Sequence, residues 1–174
     1  MELKINHVLK NITEIINSIE LLMEKSLTGP ALILTYSAID IVSSLSVMGD
    51  KDSQRSDFIK WVEEYLLSSL NTPCTGKDLY AARCSVVHIF GSESLLSRKG
   101  EAKNVIYVWG DKEPDEWQRN VNLLEEGQFI VIKIEDLIYA FREATAQFFE
   151  AIQEDERLKE NIKIRAQKML SSVE

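Results

Sequence analysis

The sequence predicts a mainly α-helical bundle that carries a small two-stranded β insertion near residues 104–134. Only 7 glycines and 3 prolines occur in 174 residues, so the chain has few obligatory turns and room for long helices. Apolar side chains recur at helical spacing over most of the chain, whereas two short segments are rich in β-branched and aromatic residues. The length and the apolar fraction of 45% suit one folded domain, which we take as residues 1–174.

The N-terminal half of the chain predicts four helices with clear breaks between them. The first break contains Thr28 and Pro30, of which Thr28 is a candidate cap and Pro30 suits a first helical turn. The helix after this break is apolar on much of its circumference, so we expect it to be central in the bundle. The four predicted helices span residues 3–25, 30–48, 55–70 and 77–90.

The C-terminal half begins with the β insertion and returns to helices. Residues 104–109 and 128–134 are predicted to form two strands of a small hairpin or ribbon. The polar insert between them contains a predicted helical turn around residues 115–124. Helices resume over residues 135–152 and 156–170.

Charge, hydropathy and cysteine content narrow the classes of function. The net charge of −8 does not suit non-specific binding of long nucleic acid, so any such contact is expected on one face only. Cys74 and Cys84 form neither a disulfide framework nor a metal-binding set. The longest apolar-rich stretch, residues 31–47, is interrupted by polar side chains and is slightly short for a bilayer. We therefore expect a cytoplasmic protein without a signal peptide or a membrane span.

Arg83 and His88 are the candidate catalytic residues. A neutral imidazole takes a proton from a hydroxyl near neutral pH. A guanidinium binds phosphate oxygens and stabilises negative charge that develops on them. Together they suit metal-independent RNA cleavage, in which the ribose 2′-hydroxyl attacks the adjacent phosphodiester. The sequence has no phosphate loop, zinc spacing or dinucleotide fingerprint, so we expect neither a metal nor a cofactor.

Helix geometry separates these two residues. Side chains five residues apart differ by about 140° around a helix axis, so only the long stem of Arg83 would bring its guanidinium to His88. His88 shares a stripe with the small residues Ala81 and Ser85, and this stripe would let another backbone approach, with Ser85 as a supporting residue. The stripe predicted to face the core consists of Leu79, Ala82, Val86 and Phe90. A complete site therefore needs a second surface, such as a subunit interface.

Further residues are candidates for supporting roles. Asp40, on the predicted central helix, is a candidate to orient Arg83 or His88. In the alternative reading Arg83 is a structural ion-pair partner of Asp40 or Asp78, and His88 bonds to the backbone. Three cations in the loop after the motif are candidates to contact an RNA backbone, the alternative being a solvated loop: Arg98, Lys99 and Lys103.

The segment Arg83-Cys84-Ser85-Val86-Val87-His88 resembles the signature of the HEPN superfamily, in which four to six residues separate an arginine and a histidine late in a helix of a helical bundle. The apolar helix over residues 31–40, which ends near an acidic residue, is also similar to the family's pattern. The resemblance covers residues 1–95 and the later helices, with the β segment as an embellishment.

The resemblance implies an endoribonuclease that acts as a homodimer, with both motifs facing one cleft, in a toxin–antitoxin or defence system. RNA is then the substrate, and an antitoxin or other protein is a partner. The family frequently has asparagine or aspartate directly after the arginine, where this chain has Cys84. Some family members are non-catalytic, so the alternative is a dimeric helical module that binds a protein partner.

Overall fold

The computed structural model describes residues 2–91 and 93–167, with side chains from residue 6 onward. Within these ranges the chain is mainly helical and carries one two-stranded sheet, so the predicted architecture is confirmed. Residues 168–170, the end of the last predicted helix, lie outside the described ranges. The elements in chain order are α1 Glu2–Glu24, α2 Thr28–Leu45, α3 Arg55–Trp61, a π-helical turn Val62–Leu66, α4 Gly76–Ile89, α5 Leu95–Arg98, β1 Asn104–Val108, α6 Pro114–Leu124, β2 Phe129–Lys133, α7 Ile134–Glu154 and α8 Glu156–Ala166.

Helix α2 is central, as its apolar circumference predicts. It packs against α1, α3, α4, α7 and α8. We expected this stretch to be too short and too polar for a bilayer. As folded, its 18 residues have a mean hydropathy of 1.2, which by length and composition alone would allow it to cross a membrane. Half of the helix is buried inside the protein, which is the behaviour of a core helix.

Two predicted helix boundaries were wrong. Helix α2 begins at Thr28 itself, so Thr28 is not its cap, although Pro30 lies in the first turn as predicted. The third helix does not continue regularly to Leu70, because a π-helical turn follows Trp61. In that turn the backbone N–H of Leu67 donates to the carbonyl of Val62 at 3.0 Å, five residues earlier. The wider turn keeps Trp61 and Leu66, which are also five residues apart, both in the core.

The two strands pair in parallel, so the predicted hairpin was wrong. Asn104 pairs with Phe129 at one end of the ladder and Val108 with Lys133 at the other. The polar insert forms helix α6, which returns the chain to the starting end of the sheet, as a parallel connection requires. Gln118 of α6 covers the outer edge of β2. Its Oε1 accepts from the N–H of Val131 at 2.8 Å, and its Nε2 donates to the carbonyl of Phe129 at 3.2 Å.

Helix α8 fixes the loop that joins α2 to α3. The buried Asn161 donates from Nδ2 to the carbonyls of Leu45 and Val47, both at 3.0 Å, and its Oδ1 accepts from the N–H of Gly49 at 2.7 Å. Arg165 donates to the carbonyl of Ser44 at 3.0 Å from Nε and at 2.7 Å from Nη2. These bonds satisfy carbonyls at the end of α2 that the helix itself leaves without partners. The loop that leads to α3 is therefore held in one conformation.

Candidate functional site

Helix α4 carries the Arg-x4-His segment and has well-defined ends. Thr75 caps its first turn, because the Thr75 hydroxyl accepts from the N–H of Asp78 and Asp78 bonds back to Thr75 at 2.9 Å. At the other end Phe90 adopts the left-handed conformation, with a φ of 47°. The sequence-predicted core stripe is correct for three of its four residues and wrong for Phe90, whose side chain is 65% exposed. The left-handed turn takes Phe90 off the helical stripe and directs its ring outward.

Arg83 projects from α4 toward α2 and forms an ion pair with Asp40. Its Nε and Nη2 atoms both lie 2.6 Å from Oδ2 of Asp40. The Arg83 side chain is 21% exposed and that of Asp40 is 30% exposed. The pair therefore lies at the surface end of the α2–α4 interface, where one edge of the guanidinium is fixed by the carboxylate.

The other edge of the same guanidinium reaches His88. Nη1 of Arg83 lies 2.9 Å from Nε2 of His88, and the His88 side chain is exposed. A guanidinium can only donate hydrogen bonds, so Nε2 accepts here and the ring proton is on Nδ1. The long stem of Arg83 thus bridges the angular separation between the two positions on the helix. The structure brings Asp40, Arg83 and His88 into one hydrogen-bonded row, which we call the Asp40–Arg83–His88 row.

The charges in this row support one another unequally. Burial raises the pKa of Asp40 above its ordinary value, and the hydrogen bond and charge of Arg83 offset only part of that rise. Burial would lower the pKa of Arg83, but the hydrogen bond and charge of Asp40 outweigh it and raise the pKa of the guanidinium. Arg83 is therefore a permanent cation, and its Nη1 edge is a permanent donor.

A cleft of about 250 Å³ opens beside the row, between α2, the start of α3 and α4. The Arg55 guanidinium carbon lies over the Tyr80 ring, 5.5 Å from its centroid. The Phe58 ring packs edge-on against the same tyrosine, with 5.5 Å between the ring centroids. The cleft is lined by Asp40, Ser53, Gln54, Arg55, Phe58, Tyr80 and Arg83.

Comparisons of the chain with models of protein families, with curated proteins and with solved structures find no match. The functional argument therefore rests on the row and the cleft. In the part of the chain that the structure describes, no three or more His, Cys, Asp or Glu side chains are grouped as a metal site would require.

Two residues of the cleft are absent from the sequence-based candidates. Tyr80 lies three residues before Arg83 and so shares its helix face, a signal that the spacing alone contains. Burial raises the pKa of the Tyr80 hydroxyl, and the neighbouring Cys84 thiol adds to this rise. Arg55 has no comparable signal, because only the tertiary fold brings α3 against α4.

The stripe of small residues does not offer an open surface. Ala81 and Ser85 are both buried within the chain, so no second backbone can approach them as we expected. The Ser85 hydroxyl donates to the carbonyls of Ala81 and Ala82, at 3.2 and 2.9 Å. Ser85 therefore does not orient His88. Of the three stripe residues, only His88 is exposed.

The three candidate RNA-contacting cations are exposed, and two of them lie toward the opposite end of α4. Arg98 and Lys103 line a separate groove of about 740 Å³ that also includes Lys77 and Asp78. The N–H of Lys103 donates to Oδ1 of Asp78 at 2.7 Å. Asp78 and His88 are ten residues apart on one helix, which is about 15 Å along its axis. Lys99 is exposed at the end of α5.

Proposed function

We propose that this protein is a HEPN-like, metal-independent endoribonuclease with Arg83 and His88 as its catalytic residues. The observation that carries the proposal is the 2.9 Å contact between Nη1 of Arg83 and Nε2 of the exposed His88. It joins a permanent phosphate-binding cation to a neutral imidazole at a surface that a strand of RNA can reach. With RNA as substrate, we expect the protein to act in the cytoplasm in a toxin or defence role.

The first step is an exchange of hydrogen-bond partners. A phosphodiester that enters beside His88 offers charged oxygens to Nη1 of Arg83, and a charged acceptor binds a guanidinium more strongly than a neutral imidazole does. Nη1 then moves from Nε2 to the phosphate. The Nε2 lone pair becomes available as a base only when substrate is present.

The chemical step follows from that arrangement. Nε2 of His88 takes the proton of the ribose 2′-hydroxyl, and the 2′-oxygen attacks the adjacent phosphorus. Arg83 stabilises the negative charge that develops on the phosphate oxygens. The bond from phosphorus to the 5′-oxygen breaks, and that oxygen takes a proton from water. The products are a 2′,3′-cyclic phosphate and a 5′-hydroxyl end.

Asp40 is a positioning residue in this scheme. Its Oδ2 holds the Nε and Nη2 atoms of Arg83, both at 2.6 Å, which leaves the Nη1 edge directed at His88 and at the incoming phosphate. A guanidinium fixed in advance loses little further side-chain freedom when it binds the transition state.

The test is cleavage of single-stranded and structured RNA by the purified protein in EDTA. We expect cleavage without added metal, because neither proposed catalytic group needs an ion. A protein that binds RNA or a protein partner but leaves RNA intact under these conditions would contradict the catalytic proposal.

Exposed apolar side chains beside His88 support a homodimer formed through this end of α4. Ile89 is 66% exposed and Phe90 is 65% exposed. The Phe90 ring covers Gly29, where a Cβ atom would come within 2.6 Å of a ring carbon. A bulky residue held in the left-handed conformation is uncommon and strained, and such strain concentrates at functional sites. A dimer on this surface brings two copies of His88 toward one cleft.

Phe90→Glu is expected to convert the dimer into a monomer, because a buried charge at the interface would have no partner. Sedimentation at several protein concentrations measures this change. Leu123→Glu, at an 85% exposed position on α6, is the matched control and should remain a dimer. A wild-type protein that sediments as a monomer would contradict the dimer proposal.

The ion pair between Arg83 and Asp40 also favours a second candidate function. A structural arginine would form the same pair, and the exposed Ile89 and Phe90 would then bind an antitoxin or another protein. The chain would be a non-catalytic dimeric module. This candidate predicts no RNA cleavage and no loss of partner binding in His88→Ala.

A further inference from the structure

We infer that the cleft beside the Asp40–Arg83–His88 row is a second phosphate-binding subsite for single-stranded RNA, and that Arg55 is its cation. The inference rests on the proposed function, because it places a neighbouring phosphate of the same RNA strand next to the phosphate that Arg83 binds. It concerns binding, whereas the proposed function concerns cleavage, so each can fail without the other.

Arg55 is placed to bind an anion. It is exposed, and no carboxylate forms a salt bridge with it among the described residues. Its contact with Tyr80 fixes the plane of the guanidinium without using its N–H donors, since the ring face attracts the cation as a whole. Arg55 therefore keeps its hydrogen-bonding capacity while its position is restricted.

The position of Arg55 relative to Arg83 sets the subsite in line with the proposed reaction. Tyr80 and Arg83 are three residues apart on α4, so their Cβ atoms are about 5–6 Å apart on one face. Arg55 stacks on Tyr80 and lines the same cleft as Arg83. Two guanidinium groups thus border a cleft of about 250 Å³, a local concentration of positive charge in a chain with a net charge of −8.

The fold itself gives no reason for an arginine at position 55. It is the first residue of α3, and a cation in the first turn of a helix is electrostatically unfavourable. The local structure depends instead on Gln54 and Asp57, whose Oδ2 accepts from the N–H of Gln54 at 2.7 Å. Replacing Arg55 should therefore change ligand binding without lowering stability.

The binding experiment uses a short fluorescein-labelled single-stranded RNA of mixed sequence and the His88→Ala protein, which cannot cleave it. Adding Arg55→Ala is expected to raise Kd roughly tenfold or more. The slope of log K against log salt concentration should fall in magnitude by about 0.7, as expected for one lost phosphate contact. Adding Arg119→Ala instead, which removes an exposed arginine from α6, is the matched control and should change neither quantity. Tyr80→Phe keeps the ring under Arg55 and should bind as the parent does.

The kinetic experiment uses the protein with His88 intact. Arg55→Ala should raise KM about tenfold and leave kcat within about twofold, because a remote phosphate contact binds the ground state and the transition state equally. The thermal midpoint should not fall.

The outcomes separate the two proposals. If RNA binds but Arg55→Ala behaves as Arg119→Ala does, the subsite is overturned and the cleavage proposal stands. If Arg55→Ala weakens binding while the wild-type protein cleaves no RNA, the subsite stands and the catalytic proposal falls. If the RNA does not bind, or an acidic peptide binds in its place, the subsite is overturned.

Discussion

His88→Ala is expected to lower the rate of RNA cleavage by about 10²–10⁴-fold and to leave the fold unchanged. The rate falls because the proposed mechanism has no other base positioned at the 2′-hydroxyl. The fold is unaffected because the His88 side chain is exposed and its contact is with Arg83 alone among the hydrogen bonds described. Initial rates in EDTA and a thermal denaturation curve measure both effects.

The chain supplies a matched control for this variant. His7, on α1, is the other of its two histidines, and His7→Ala should cleave RNA at the parent rate. Equal rates for His88→Ala and the parent protein would contradict a catalytic role for His88. A large loss in both histidine variants would indicate a global effect on the protein and would contradict the specific role.

Asn161→Ala is expected to lower the free energy of unfolding by about 2–4 kcal/mol, with a fall of roughly 5–15 °C in the thermal midpoint. The buried amide of Asn161 serves two carbonyls and one N–H of the loop after α2, and alanine leaves all three without partners. An unsatisfied buried polar group costs more than a hydrogen bond at the surface contributes. Urea denaturation measures the change directly.

The control for this variant is Asn120→Ala, at an exposed position on α6, which should shift the free energy of unfolding by no more than about 0.5 kcal/mol. The Asn161 amide also steadies the chain between Asp40 on α2 and Arg55 on α3. We therefore expect residual RNA binding in Asn161→Ala to be weakened at temperatures below the midpoint. A variant as stable as Asn120→Ala would show that the loop does not depend on α8.

Periodicity predicts the helices well because burial of one face is a local property of the sequence. The central position of α2 follows from its apolar circumference, and the Arg-x4-His spacing identifies Arg83 and His88. Strand direction does not follow in the same way. The residues of β1 and β2 indicate strands, but whether they pair in parallel depends on how the insert folds, and here it forms α6.

The candidate site divides along the same line between local and tertiary information. Helix geometry predicts that Arg83 and His88 point apart, and it takes Asp40 on another helix to fix the guanidinium where Nη1 meets His88. Arg55 is brought to the cleft by the fold alone. The exposure of Phe90 depends on where α4 ends, and a helical stripe carries no information about the left-handed residue that terminates it.

The central claim is that Arg83 and His88 cleave RNA through the ribose 2′-hydroxyl. The most direct measurement uses a DNA strand that contains one ribonucleotide, incubated with the protein in EDTA. The proposed mechanism predicts a single cut on the 3′ side of that ribose, with a 2′,3′-cyclic phosphate on one product and a 5′-hydroxyl on the other. Cleavage of the all-deoxy strand, products with a 3′-hydroxyl end, or cutting only after metal is added would contradict it.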